Sequence, residues 1–218
     1  LKSTNLLLKV ENLSKAYGDN RLFSNLSFSL YEKERLGLLG KNGTGKSTLA
    51  KILIKYEEPT AGKIYLYGKP AQDYSKEAWS KKVQYIGQYT RNTLDPTKTI
   101  EACLKEPLNN FKIANKQEQN QIIQGYLEKL NLDSSILKKR PLELSGGQYQ
   151  RICIALALLP KPALIICDEM TASLDKISEI AILKFFREEV DKALIVISHD
   201  PYVVNYLCHN TLRLENFK

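Results

Sequence analysis

The sequence predicts an α/β fold with a mainly parallel core sheet, an antiparallel β edge and an inserted helical subdomain. Three observations predict it. A glycine-rich loop, Gly40-Lys41-Asn42-Gly43-Thr44-Gly45-Lys46-Ser47-Thr48, joins an apolar strand-like run at 35–39 to a helix-like run at 49–54. Two further apolar runs, 163–167 and 193–198, have the unbroken character of strands buried on both faces. Before them, at 99–137, the texture changes to Gln, Asn, Lys and Glu, with Ile122, Ile123, Tyr126, Leu127 and Leu130 at helical spacing.

Composition bounds the rest. A chain of 218 residues, 43% of them hydrophobic, can fill one substantial core without disulfides or structural metal. One domain, or one core with a subdomain inserted, is the expectation. Cys103, Cys153, Cys167 and Cys208 are far apart and form no CxxC pair, so reduced thiols in a cytosolic protein are expected and no zinc site is legible. No uninterrupted apolar run approaches the ~18 residues of a membrane span; the longest, 152–167, is broken by Pro160, Lys161 and Pro162. The N-terminus shows no charged-then-apolar signal segment, and a Leu at position 1 suggests that residues precede it. The net charge of +8 suits nucleic acid, an anionic membrane surface or a nucleotide. Because the lysines are spread along the chain without a long basic run, most read as a solvated surface.

In chain order, residues 6–13 read as a first strand, Gly18-Asp19-Asn20 as a turn, and Leu26, Phe28 and Leu30, alternating with serines, as a second strand in antiparallel pairing. Tyr17 stands at that turn; an aromatic there can stack on a purine, and taken alone it reads as an ordinary strand-end tyrosine. After the glycine-rich loop and its helix, residues 63–67 read as an edge-type strand, a short helix at 76–82 carries the only tryptophan, Trp79, and a strand at 83–86 stops before Gly87-Gln88. Gln88 therefore follows a strand end, where binding residues gather. Ser145 suits the N-cap of a helix over 149–159. A helix introduced by Ser173-Leu174-Asp175 runs to about Glu189, and the chain closes with a short helix, 202–207, and a strand, 211–214.

Two places carry chemistry. In the glycine-rich loop, Gly40, Gly43 and Gly45 allow a tight turn whose N–H groups point inward, and the helix that follows adds its positive end. Lys46 supplies a charge for phosphates, and the Ser47 hydroxyl can ligate the Mg²⁺ that travels with a nucleotide. The second place is the end of the 163–167 run, where Asp168 and Glu169 stand side by side; adjacent carboxylates are costly there unless they meet a cation. His199 occupies the corresponding end of the 193–198 run and on its own reads as structural, as does His209.

The ordered set resembles the nucleotide-binding subunit of ATP-binding-cassette (ABC) transporters, and the resemblance covers nearly the whole chain. Tyr17 is similar to the family's adenine-stacking aromatic, the loop from Gly40 to Thr48 to its P-loop NTPase phosphate loop, and Gln88 to its glutamine loop. Leu144, Ser145, Gly146, Gly147 and Gln148 match its signature sequence, Leu164-Ile165-Ile166-Cys167-Asp168-Glu169 its second nucleotide motif, Ser173-Leu174-Asp175 its aspartate loop and His199 its switch histidine. The resemblance implies an ATPase with ATP and Mg²⁺ as cofactors, built as a single ABC ATP-binding domain over 1–218. In that division 1–88 and 160–218 form the nucleotide-binding core and 89–159 the helical subdomain. Lys46 and the loop around Gly40, Asn42, Gly43, Gly45 and Thr48 hold phosphates; Ser47 and Gln88 reach the metal, and Asp168 holds it through water. Glu169 is the general base and His199 contacts the γ-phosphate. Ser145, Gly146, Gly147 and Gln148 act on the ATP of an opposite subunit in a head-to-tail pair.

Thr93-Leu94-Asp95-Pro96, Thr99-Ile100 and Glu106-Pro107-Leu108 are similar to the pattern after the glutamine loop in the peptide/nickel importer subfamily, with Asp95 where that subfamily has Asn. The short form leans towards nickel or a related chelate over peptides. This resemblance implies a second, usually different ATPase subunit, two transmembrane permease subunits and an extracellular solute-binding protein, with this chain at the cytoplasmic face of the membrane and no nucleic-acid partner. An exporter ATPase, or a soluble cassette ATPase acting on ribosomes or DNA, is the alternative.

Overall fold

A computed structural model describes residues 5–88 and 93–217, so positions 89–92 of the expected helical subdomain lie outside the described residues. The chain divides into two compact units, one of Leu1–Tyr85, Ala163–Glu169 and Asp191–Lys218, the other of Ile86–Pro162 and Met170–Val190.

In the first unit, β1 (Leu6–Tyr17) and β2 (Asn20–Tyr31) pair antiparallel through the turn at Gly18. Leu26 and Leu30 of β2 are buried, as their even spacing predicts, and so are Leu8 and Val10 of β1; Leu13, out of phase with them, is buried across a shift of register after Val10. Both strands outrun their apolar patterns. Lys15, Ala16 and Tyr17 continue β1 because they pair with Phe23, Arg21 and Asn20, which gives polar residues a ladder that no periodicity announces. On its other side β1 pairs with β4 (Ala61–Leu66), which in turn pairs with the two-residue β5 (Lys69–Pro70). The strand order is β2-β1-β4-β5, so β4 is an interior strand, where the sequence suggested an edge. These antiparallel strands make a sheet of their own.

The other sheet runs β6-β7-β8-β3-β9, with β6 at Val83–Ile86, β7 at Leu164–Asp168, β8 at Ala193–Ile197, β3 at Arg35–Leu39 and β9 at Asn210–Arg213. β7, β8, β3 and β9 pair in parallel. Every residue of β7 and β8 is buried, which accounts for their unbroken apolar runs. α1 (Lys46–Leu53) follows β3 and buries Leu49, Ala50, Ile52 and Leu53; α7 (Pro201–Leu207) follows β8. Trp79, on α2 (Lys76–Lys82), is fully buried in the same core, and its indole N–H donates to the Leu53 carbonyl at 3.1 Å. That bond lets the ring be buried without an orphaned donor, and removing the ring costs about 3–5 kcal/mol.

The second unit is helical: α3 (Ile100–Asn110), α4 (Lys116–Lys129), α5 (Gly146–Leu158) and α6 (Lys176–Glu188). Side chains cap all four, Thr99 for α3, Asn115 with Glu118 in a reciprocal box for α4, Ser145 for α5 and Asp175 for α6. Met170–Val190, grouped with the core in the sequence reading, falls in this unit. The reason is local packing: α6 begins against α5 at Ser178 and Gly147, and Lys129 of α4 pairs with Glu189 at 2.9 Å. Buried Tyr149 of α5 uses its hydroxyl oxygen to accept the N–H groups of Thr93 and Leu94 at 3.1 and 3.0 Å.

Candidate active site

The glycine-rich loop leaves β3 and runs close over β2. Gly45 has φ +96°, a conformation that strains any side chain, and a Cβ built there would lie 3.1 Å from Leu22 and 3.2 Å from Phe23, close enough that those residues would have to yield. The Thr44 hydroxyl donates to the Lys41 carbonyl at 2.9 Å, and the Lys41 N–H donates to the Glu215 carboxylate at 2.8 Å, which ties the loop to the 3₁₀ turn Leu214–Phe217. Gly45 is also the N-cap of α1 and supplies no capping side chain, so the positive end of that helix faces the loop without one.

Lys46 is only 9% exposed, and its ammonium donates to the carbonyls of Gly40 and Lys41 at 2.7 and 3.0 Å. Its charge is thus held over the loop by neutral acceptors. A phosphate oxygen offers the same ammonium an acceptor of full opposite charge in place of a neutral carbonyl.

A cavity of about 560 Å³ opens beside the loop, within the range of small-molecule sites. It gathers Tyr17, Asn42, Gly43, Gly45, Lys46, Ser47, Thr48, Asp168 and Glu169, all singled out in the sequence, and adds Asn20, Leu22 and Ile197. Gly40 sits one residue beyond β3, at the loop's entry.

Tyr17 ends β1 at the cavity, 49% exposed. Its hydroxyl is hydrogen-bonded to the Glu57 carboxylate. The Lys15 ammonium lies 4.7 Å from the Tyr17 ring centroid, 3.1 Å from the same carboxylate and 2.7 Å from the Glu58 carbonyl. The Tyr17 bond and then the Lys15 bond hold the Glu57 carboxyl below its ordinary range, and the Glu57 bond raises the Tyr17 phenol. Neither Lys15 nor Glu57 stands out in the sequence, because the contact between Tyr17 and Glu57 spans forty residues.

Asp168 closes β7 and is 5% exposed. Its Oδ2 accepts the Tyr85 hydroxyl at 3.1 Å, while its Oδ1 is buried with no hydrogen-bond partner among the described residues. Burial, and next the Asp168 charge, push the Tyr85 phenol up. A buried carboxylate oxygen without a donor is costly. Asp168 and the Ser47 hydroxyl line one cavity and are hard oxygen donors, so the residues present fit a Mg²⁺ ion.

Glu169 lies just past β7 in the left-handed region, φ +53°, with its N–H donating to the Ile197 carbonyl at 2.9 Å. Because Asp168 stands opposite Ile197 in the parallel register, Glu169 and His199 leave the same sheet end together. One Glu169 oxygen accepts the His199 backbone N–H at 2.9 Å, and the other lies 2.9 Å from His199 Nδ1.

The remaining predicted residues belong to the second unit. Gln88 donates from Nε2 to Ser173 Oγ at 3.4 Å. Ser145 accepts the Gln148 N–H at 3.2 Å and the Gln148 side-chain carbonyl accepts the Ser145 N–H at 3.1 Å, so Gln148 completes a capping box. Gly146 and Gly147 form the first turn of α5, directly after the expected N-cap Ser145 and ahead of the run at 149–159. A Cβ on Gly147 would lie 2.6 Å from Ser178 Oγ.

A parallel sheet whose strand passes through a glycine-rich loop into a helix, with carboxylates at a nearby strand end, defines a P-loop nucleoside triphosphatase. The sequence profile of the ABC transporter family matches residues 23–172, and the chain belongs to that family. Within it the chain is an ATP-binding ATPase. Among its relatives are the nickel import ATP-binding proteins NikE of Shigella dysenteriae serotype 1 (strain Sd197), 34% identical, and of Escherichia coli (strain K12), 33% identical. Each comparison covers 96% of this chain and 84% of the relative. A solved ATP-binding subunit of an ABC transporter matches at TM-score 0.84 with 26% identity, over 95% of this chain and 85% of that one. A dimeric bacterial ABC transporter cassette matches at TM-score 0.79 with 25% identity, over 95% of each chain. No described helix is long and apolar enough to cross a membrane.

Proposed function

We propose that this chain is the ATP-hydrolysing subunit of an ABC importer for nickel or a small nickel chelate. The observation that carries the cargo is the identity, 33–34% over nearly the whole chain, to proteins named for nickel import. The subfamily pattern beginning at Thr93 adds to it. Asp95, where that pattern has Asn, uses one oxygen to accept both the N–H and the hydroxyl of Thr97, at 2.9 and 2.6 Å. An Asn carbonyl can make the same two bonds, so the departure leaves the turn unchanged.

In this reading the two units form one ABC ATP-binding domain. Lys46, the loop N–H groups and the N-terminus of α1 hold the ATP phosphates, and Tyr17 stacks on the adenine. Ser47, and Asp168 through water, would hold Mg²⁺, which would supply positive charge to the phosphates; the family resemblance gives Gln88 a metal contact as well. Glu169 accepts a proton from the water that attacks the γ-phosphorus; the bond to the bridging oxygen breaks and ADP leaves. His199 orients Glu169 and contacts the γ-phosphate. Ser145, Gly146, Gly147 and Gln148 serve the ATP of a second ATPase subunit, paired head to tail. Two permease subunits and an external solute-binding protein complete the importer, which places this chain at the cytoplasmic face of the membrane.

The test is uptake of radiolabelled nickel, with a labelled dipeptide in parallel, in source cells whose only copy carries Glu169→Gln. Loss of nickel uptake alone is expected. Loss of dipeptide uptake alone moves the chain to peptide import; persistence of both overturns the importer reading and leaves export, or ribosome and DNA binding, to be measured.

A further inference from the structure

We propose that Tyr85 is a positioning residue for the metal-binding carboxylate: its hydroxyl holds Oδ2 of Asp168, so that Oδ1 is the oxygen presented to the metal ion. The proposal rests on the reading of Asp168 as a metal ligand. It adds a residue that neither the glycine-rich loop nor any other motif in the sequence contains.

Two independent observations carry it. The first is the hydrogen bond itself, 3.1 Å from the Tyr85 hydroxyl to Oδ2, made between neighbouring strands β6 and β7. The second is the unequal state of the two carboxylate oxygens: Oδ1 is buried and unpartnered although its residue lines the phosphate cavity. An aspartate carboxyl turns in a broad, two-fold torsional well, so nothing in its own chemistry decides which oxygen faces a ligand. A donor fixed on one oxygen does decide it. Tyr85 is placed for this by its strand, β6, which runs beside β7 and brings the hydroxyl to Oδ2, and a phenol carries a single O–H to donate, so it fixes one carboxylate oxygen and leaves the other. Groups that stand behind a metal ligand in this way tune the affinity of the site for the ion.

The rival account is that Tyr85 merely satisfies a buried charge and stabilises the strand pair. The two differ in what metal binding does. With the whole chain, ADP as nucleotide and Mn²⁺ as probe, the bound ion is counted by electron paramagnetic resonance. Tyr85→Phe, which keeps the ring and deletes the donor, is expected to raise the Mn²⁺ concentration for half-saturation about tenfold, the lower end of the range for losing such a partner. ADP affinity measured in EDTA is expected to stay that of the parent chain. An unchanged Mn²⁺ half-saturation overturns the proposal, and so does a loss of ADP affinity in EDTA as large as that seen with metal. If Tyr85→Phe is recovered unfolded, Tyr85→Met removes the donor in the same titration and is judged by the same two outcomes. Asp168→Asn separates the layers. If it leaves Mn²⁺ binding intact, the metal role of Asp168 itself fails; if it abolishes binding while the Tyr85 variants do not weaken it, only the positioning role fails.

Discussion

Glu169 and His199 hold each other by two contacts of 2.9 Å, one from the histidine's backbone N–H and one at its ring Nδ1. Both carboxylate oxygens are therefore engaged by a single residue, and the left-handed backbone at Glu169 is what turns the carboxylate back onto it. As the proposed base, Glu169 is oriented by these contacts. Removing the base, Glu169→Gln, is expected to keep ATP binding and slow turnover about 10²–10⁴-fold. His199→Ala is expected to slow it as well, and the double variant to be little slower than Glu169→Gln alone, since groups that act as a unit are not additive. Steady-state ATPase rates of the three variants, with a nucleotide titration of each, check this. Multiplying effects in the double variant would separate the two residues.

Tyr17 makes a second prediction, about base recognition. Its ring lies at the cavity, bonded to Glu57 and beside Lys15, and stacking on an aromatic side chain is worth roughly 1–3 kcal/mol per base. Tyr17→Ala is expected to weaken ATP by that amount and leave inorganic tripolyphosphate, which has no base, unaffected. Tyr17→Phe, which loses only the Glu57 bond, is expected to lie between. Calorimetric titration with both ligands reads the difference, and an equal loss for the two would remove Tyr17 from the base.

What could be read from the sequence was local. The loop from Gly40 to Thr48 announces itself because its spacing and its flanking strand and helix lie within twenty residues of one another. β7 and β8 were legible because burial on both faces demands unbroken apolar runs. The second half of β1 was not, since Ser14, Lys15 and Ala16 are strand only by virtue of pairing with β2 and β4. The N-cap of α5, Ser145, was legible, whereas the apolar run marks the helix only from Tyr149, because Gly146 and Gly147 are poor helix formers that the Ser145–Gln148 capping pair overrides. Tyr85 on Asp168 and Glu57 on Tyr17 were invisible for another reason: each contact joins distant segments and leaves no period or motif behind.

Gly147 supplies a third prediction, on how the second unit packs. A methyl at this position would sit 2.6 Å from Ser178 Oγ and 3.3 Å from its Cβ, so Ser178 must shift to admit it. Gly147→Ala is expected to destabilise the chain by about 1–3 kcal/mol, the usual cost of overpacking. Ser178→Gly in the same chain removes the obstructing atoms and is expected to recover part of the loss, although glycine within α6 has its own helix penalty. Urea melts of the two variants and their parent decide it. No loss in Gly147→Ala would mean that the helices give way without cost.

The thiols give the last prediction. Burial pushes Cys153 and Cys208 up to about 12, from an ordinary value of 9.0, so in the folded chain both stay protonated where the unfolded chain ionises. Between those two values the unfolded state binds fewer protons than the native one, and stability falls as pH rises; below 9.0 both states keep the proton and the contribution is intact. Urea midpoints are therefore expected to decline from pH 9 upward. Cys153→Ala is expected to flatten part of that slope at some cost in stability at pH 7. The same protonation makes the native thiols poor nucleophiles, so iodoacetamide at pH 8 is expected to label Cys153 far more slowly in buffer than in urea. Equal labelling rates in the two would place Cys153 in contact with solvent and remove the basis for the alkaline slope.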